Sequence, residues 1–218
     1  MTAVKICGLK SSDALEAALN GGADYIGLVF FPRSPRHLDL ETAARLARSA
    51  RGRARIVALL VDPADELVLD VLEQVSPDIV QLHGSETPER VAAIGRKAKL
   101  PILKAIKVET DADAAEALRY QGAADIILFD AKAPKGAPVP GGNGIAFDWR
   151  ALENVRGRLG ERWMLSGGLT PENVAEAIRL TGAPAVDVSS GVETSPGEKS
   201  PDLIRRFLHA AKTAKQRA

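Results

Sequence analysis

One thiol and one carboxyl group stand out by position. Cys7 closes the apolar run that opens at Ala3 and is followed by Gly8, and Asp130 closes Ile126-Ile127-Leu128-Phe129. Lys5 lies inside the first run, where a buried ammonium needs a counter-charge, and Asp187 inside Ala185-Val186-Asp187-Val188 is the natural partner. Gly167-Gly168 and Ser189-Ser190-Gly191 follow two further apolar runs. Glycines let backbone N–H groups approach an anion and hydroxyls add donors, so these segments suit a phosphate. Neither is a Walker loop, which favours a phosphorylated metabolite over a nucleoside triphosphate. Each residue also has a plainer reading: Cys7 as a small buried hydrophobe, Asp130 as a loop cap, the glycines as turns. His83 reads first as a hydrogen-bonded rim residue.

The elements that must carry these residues recur regularly. β-like runs at 3–7, 24–30, 55–61, 78–83, 102–108, 125–130, 162–166 and 185–189 alternate with stretches of helical spacing. The helical stretches are 12–20, 41–50, 64–74, 88–97, 112–120, 149–155, 171–180 and 201–212. Gly21-Gly22, Gly122 and Gly182 stop three helices just before the next strand, as glycine does by accepting a left-handed conformation. The strand-to-helix segments 31–40 and 131–147 are instead long and rich in Pro, Gly and charge. Eight strand–helix pairs favour a single-domain (β/α)8 TIM barrel over residues 1–218, with the long loops at the C-terminal face where active sites lie. An open doubly wound sheet would call for a GxGxxG turn after the first strand, and Cys7-Gly8-Leu9-Lys10 is not one.

Strand parity then sorts the side chains. Val4, Ile6, Ile127, Phe129, Val186 and Val188 are assigned to the helix side. Lys5, Cys7, Gln81, His83, Asp130 and Asp187 are assigned to the interior. Asp24, Asp78 and Asp125 fall at strand starts, on the opposite face, and read as structural.

Composition bounds the rest. Twenty-nine Lys+Arg against 28 Asp+Glu leave no excess of basic charge for nucleic acid. A single cysteine excludes an internal disulfide and a cysteine-based zinc site, and no His/carboxylate spacing implies a metal; no cofactor is expected. The longest apolar runs are too short to span a bilayer and the N-terminus has no signal-like apolar segment, so the expected location is cytoplasmic. The basic stretch 212–217 reads as a solvated face. Monomer and homodimer stay equally open.

Taken together, the motifs resemble one family over nearly the whole chain. They are Lys5-Ile6-Cys7-Gly8, Gly27-Leu28-Val29-Phe30-Phe31-Pro32-Arg33-Ser34-Pro35-Arg36, Val80-Gln81-Leu82-His83-Gly84, Phe129-Asp130-Ala131-Lys132, Gly141-Gly142-Asn143-Gly144 with Phe147-Asp148-Trp149, Leu165-Ser166-Gly167-Gly168-Leu169 and Val186-Asp187-Val188-Ser189-Ser190-Gly191-Val192-Glu193. This set resembles the phosphoribosylanthranilate isomerases; a short insertion at 136–140 lengthens the sixth loop.

The resemblance implies an Amadori rearrangement of N-(5-phosphoribosyl)anthranilate to 1-(2-carboxyphenylamino)-1-deoxyribulose 5-phosphate. By the same resemblance Asp130 matches the general acid, Cys7 the general base and Arg36 the group that meets the anthranilate carboxylate. Gly167, Gly168, Ser189, Ser190 and Gly191 match the phosphate cradle, and His83 and Asp187 are carried as substrate-contacting candidates.

The chemistry needs neutral Asp130 beside thiolate Cys7, against ordinary values of about 3.9 and 8.5. Burial and a substrate phosphate are expected to raise Asp130, and the charge of Lys5 to lower Cys7. Three readings compete: a Schiff-base aldolase or lyase using Lys104, Lys107 or Lys132, another sugar-phosphate isomerase, and a non-enzymatic phosphate-ligand barrel.

Overall fold

The structure is a computed structural model that describes residues 1–133, 141, 142, 144 and 146–214. The 136–140 insertion, Asn143 and the tail beyond 214 lie outside the described residues.

Eight parallel strands close into a barrel in sequence order. They are β1 (Ala3–Cys7), β2 (Tyr25–Phe30), β3 (Arg55–Leu60), β4 (Ile79–Leu82), β5 (Ile102–Val108), β6 (Ile126–Ala131), β7 (Trp163–Leu165) and β8 (Ala185–Val188). Closure comes from β8 pairing back onto β1, which sets Lys5 opposite Asp187. The intervening helices are α1 (Ser12–Asn20), α2 (Leu40–Ala50), α3 (Asp65–Val75), α4 (Pro88–Ala98), α5 (Asp111–Ala115), α6 (Glu153–Leu159), α7 (Val174–Thr181) and α8 (Pro201–Thr213). No helix among the described residues is long and apolar enough to cross a membrane.

Alternation along the strands divides the core as the parity predicts. Val4, Ile6, Ile127, Phe129, Val186 and Val188 pack outward in the shell between barrel and helices. Val57, Ile79, Leu103, Leu128 and Met164 fill the interior, and Cys7, Val29 and Leu59 form a small apolar group of their own. The three aspartates at the strand starts are structural as expected. Asp24 accepts from Val4 N, Asp78 from Ile56 N and Asp125 from Ile102 N, each at 2.7–2.8 Å. In each case a carboxylate satisfies an amide on the preceding strand and ties neighbouring strands together at the face remote from the loops.

Four elements depart from the expected pattern. The helical stretch at 112–120 divides into α5 and a 3-10 helix (Glu116–Tyr120), and α6 is preceded by a 3-10 turn (Trp149–Leu152). α7 begins at Val174, because Asn173 folds back on its own loop: its side chain accepts from Thr170 N and donates to Gly168 O. After β8 the chain forms an unexpected antiparallel hairpin, β9 (Glu193–Ser195) and β10 (Glu198–Lys199). Lys212, expected as solvated surface, instead lies 2.5 Å from Asp24.

Candidate active site

The C-terminal ends of the strands surround a cavity of about 780 Å³, counting its open mouth. Cys7, Arg36, His83, Asp130, Gly167, Gly168, Asp187, Ser189, Ser190 and Gly191 all line it. The residues are spread from position 7 to position 191, and barrel closure brings them to one mouth.

The β1 side of the cavity rests on an ion pair. Lys5 Nζ lies 2.9 Å from Asp187 Oδ1, with both side chains buried, and Ser166 Oγ donates to Asp187 Oδ2 at 3.3 Å. Burial acts against the Lys5 charge, but Asp187 and Cys7 outweigh it and hold the ammonium above its ordinary value. Cys7 sits one step further along β1, opposite Gly27 of β2, and its carbonyl accepts from Ser189 Oγ at 3.2 Å. A Cβ on Gly27 would lie 2.8 Å from Cys7 Sγ, so only glycine leaves room for the thiol there.

The expected electrostatics of Cys7 need correction. Burial pushes the thiol up; Lys5 pulls it down, Asp187 pushes it up again, and the net result is a raised value. Lys5 does act on the thiol, but its charge is shared with Asp187 and does not overcome desolvation.

Asp130, near the end of β6, has its own support. Its Oδ2 lies 3.1 Å from His83 Nε2, and His83 Nδ1 lies 3.0 Å from Gln81 Nε2. His83 therefore bridges the Gln81 amide and the Asp130 carboxyl group through its two ring nitrogens. Gln81 and His83 are two residues apart on or just beyond one strand, which is why they share a face. Gln81 was assigned inward without a role; the structure gives it one.

The opposite wall mixes apolar surface with charge. Val29, Phe31, Leu59 and Val61 line the cavity. Arg36 lies across it and gives Nε and Nη2 to the two carboxylate oxygens of Glu193 at 2.7 and 2.8 Å. Nη2 also donates to Gly142 O at 3.2 Å. Lys199 holds the same Glu193 at 2.6 Å and donates to Ser189 O and Oγ. Burial alone would raise Glu193, but Arg36 and Lys199 bring it down to about 2. Lys199 is lowered to about 8, chiefly by its own burial, with Glu193 opposing. Neither residue was singled out from the sequence, although Glu193 ends a motif noted there.

The two glycine segments lie side by side. Gly167 and Gly168 both take positive φ, 85° and 62°, a pairing that L side chains rarely adopt. Gly191 begins no side chain because its Cβ would run into Leu169 O, so the loops after β7 and β8 are in backbone contact. A short 3-10 turn (Ser190–Val192) follows β8 at the same place.

Comparison with known proteins decides the family. A sequence profile described as N-(5'phosphoribosyl)anthranilate (PRA) isomerase matches residues 4–210. The chain belongs to the phosphoribosylanthranilate isomerase family. It is an enzyme, an isomerase of tryptophan biosynthesis built as a TIM barrel. It is 54% identical over 213 residues to N-(5'-phosphoribosyl)anthranilate isomerase of Rhodopseudomonas palustris (strain BisA53), covering 98% of this chain and 97% of the relative. The isomerase of Chelativorans sp. (strain BNC1) is 50% identical over 212 residues, or 97% and 96% of the two chains. Among solved structures, phosphoribosyl anthranilate isomerase from Thermotoga maritima matches with a TM-score of 0.85 at 37% identity, over 97% of this chain and 99% of that one. A phosphoribosyl anthranilate isomerase in complex with reduced 1-(o-carboxyphenylamino)-1-deoxyribulose 5-phosphate matches with the same TM-score at 36% identity, over the same shares.

Proposed function

We propose that Cys7 and Asp130 are the base and the acid with which this isomerase converts N-(5-phosphoribosyl)anthranilate to 1-(2-carboxyphenylamino)-1-deoxyribulose 5-phosphate. The observation that carries this reading is the opening of the β1 thiol and the β6 carboxyl group onto one cavity. In the first step Asp130 gives its proton to the ribose ring oxygen. The C1–O bond breaks as the anilino nitrogen lone pair forms C1=N. Cys7 thiolate then takes the proton from C2, and the C–H electron pair moves into C1=C2, giving an enolamine. Proton return to C1 and loss of the hydroxyl proton at C2 yield the ketone. No electrons leave the substrate, so the chemistry calls for no redox cofactor.

The remaining residues bind. Arg36 meets the anthranilate carboxylate, and Val29, Phe31, Leu59 and Val61 offer the aromatic ring an apolar wall. The Gly167–Gly168 and Ser189–Gly191 backbones receive the phosphate. His83 and Asp187, first taken as substrate contacts, are better supported as the partners of Asp130 and Lys5. The thiolate is the minor form of the resting protein, since burial raises Cys7, and Lys5 and Lys199 are the cations that favour it. We assign residues 1–218 to one catalytic domain acting in the cytoplasm.

Cys7→Ala and Asp130→Asn are each expected to cut kcat at least ~10²-fold with the fold retained, the usual scale for acid–base groups. Near-normal turnover in either variant would remove that residue from its role. Lys104 is not favoured as an imine-forming lysine. Lys104 is buried and held by Glu86 and Gly84 O at 2.9 and 2.8 Å, which leaves its amine engaged rather than nucleophilic.

A further inference from the structure

We infer that Glu193, braced by Lys199, is a positioning residue that aims Arg36 at the substrate's aromatic carboxylate and so sets the preference for a carboxylated ring. This rests on the reading of Arg36 as the carboxylate's partner and goes beyond it, to the residues that make that arginine usable.

The geometry is a strut across the mouth. Arginine is long and flexible, and unsupported it would lose several rotamers' freedom on binding. Here the Nε/Nη2 edge of the guanidinium is taken by both oxygens of Glu193, a bidentate pairing that fixes its plane as well as its position. The second Nη2 hydrogen faces Gly142 O. Nη1 donates to no group among the described residues, while Arg36 lines the cavity. The side chains of Arg36, Glu193 and Lys199 are 7%, 4% and 2% exposed, so solvent screens their charges little.

Charge makes Lys199 necessary. A bare Arg36–Glu193 pair is neutral and offers an arriving anion little net attraction. Lys199, bonded to the same Glu193, restores one positive charge to the group. It also bonds Ser189 O and Oγ, tying the guanidinium's brace to the loop assigned to phosphate. One hairpin, β9–β10, therefore joins both anion sites and sets the distance between them. That hairpin has weak β propensity, with Glu, Ser, Pro, Gly and Lys in seven residues. Its ion pairs give it a reason to be ordered.

The test compares two substrates, phosphoribosylanthranilate and the same compound lacking the carboxylate, N-(5-phosphoribosyl)aniline. In Glu193→Gln, KM for the first is expected to rise ~10-fold or more, the scale of one charge-assisted hydrogen bond, with kcat within about threefold. KM for the aniline compound is expected to stay unchanged. Lys199→Met is expected to move the same KM in the same direction by a smaller factor. An equal rise for both substrates, or no rise for either, would overturn the inference, because a merely structural role does not sense the carboxylate. Arg36→Ala separates the two layers. If it abolishes the preference while Glu193→Gln keeps it, the positioning role fails alone; if it leaves the preference intact, the Arg36 assignment fails and this inference with it. Should Glu193→Gln not fold, Glu193→Asp keeps the charge but draws the guanidinium back. It too is expected to lose the preference, and a retained preference would count against the strut.

Discussion

Lys5 and Asp187 form a buried ion pair, 2.9 Å apart, across the seam where the last strand of the barrel meets the first. The pair spans that seam beside the thiol and divides the lysine's field between Asp187 and Cys7. Asp187→Asn removes the competitor and keeps the side-chain shape. The thiol is expected to titrate lower and to be alkylated faster at pH 8 than in the wild type. The same variant leaves an unpaired buried ammonium, a loss of about 3–5 kcal/mol in denaturant unfolding. A thiol titration that does not move would show that Asp187 exerts no control over Cys7.

Gly27 is a second lever on the same thiol. An added Cβ would meet Cys7 Sγ at 2.8 Å, Cys7 Cα at 3.0 Å and Lys5 Nζ at 3.2 Å. Gly27→Ala should therefore displace the thiol and reduce kcat by at least ~10-fold, with an overpacking cost of about 1–3 kcal/mol. Steady-state kinetics beside thermal unfolding separates the two effects. Wild-type kcat in a folded variant would mean that the thiol has room to shift without consequence.

Acid stability should depend on Glu193. Its native value of about 2 lies below the ordinary 4.5, so the unfolded chain binds more protons between those values. The stabilisation is complete above pH 4.5 and disappears as pH falls toward 2, with a ceiling of about 3 kcal/mol. Wild type and Glu193→Gln should differ most at neutral pH and converge in acid. Parallel stability curves from pH 6 to pH 2 would contradict this.

His83 is expected to act through Asp130. Removing it in His83→Ala leaves the buried carboxyl group without the ring nitrogen that holds its rotamer. The result should be a fall in kcat of ~10-fold or more, with KM for phosphoribosylanthranilate little changed. A rise confined to KM would return His83 to direct substrate contact.

Much of this was legible in the residues themselves. The limits of β1, β5 and α1 agree with the expected 3–7, 102–108 and 12–20, because apolar alternation and the flanking breakers are local signals. Inward and outward faces followed from the same alternation. The hairpin after β8 escaped notice because nothing in Glu193-Thr194-Ser195-Pro196-Gly197-Glu198-Lys199 has a strand's periodicity. It is held by the remote Arg36, 157 residues away in sequence, which pairs with Glu193, and by Lys199 bonding back to Ser189 O.

The amino-acid order by itself determined the eight-fold alternation, the side of each strand that faces inward and the motifs that mark the family, since all of these are written in short-range spacing. Tertiary structure alone decided that Glu193 grips Arg36, that Gln81 and His83 stand behind Asp130, and that the Cys7 thiol is raised where Lys5 suggested it would fall. Those outcomes depend on distance and desolvation, and both exist only once closure of the barrel has brought remote segments together and excluded water from between them.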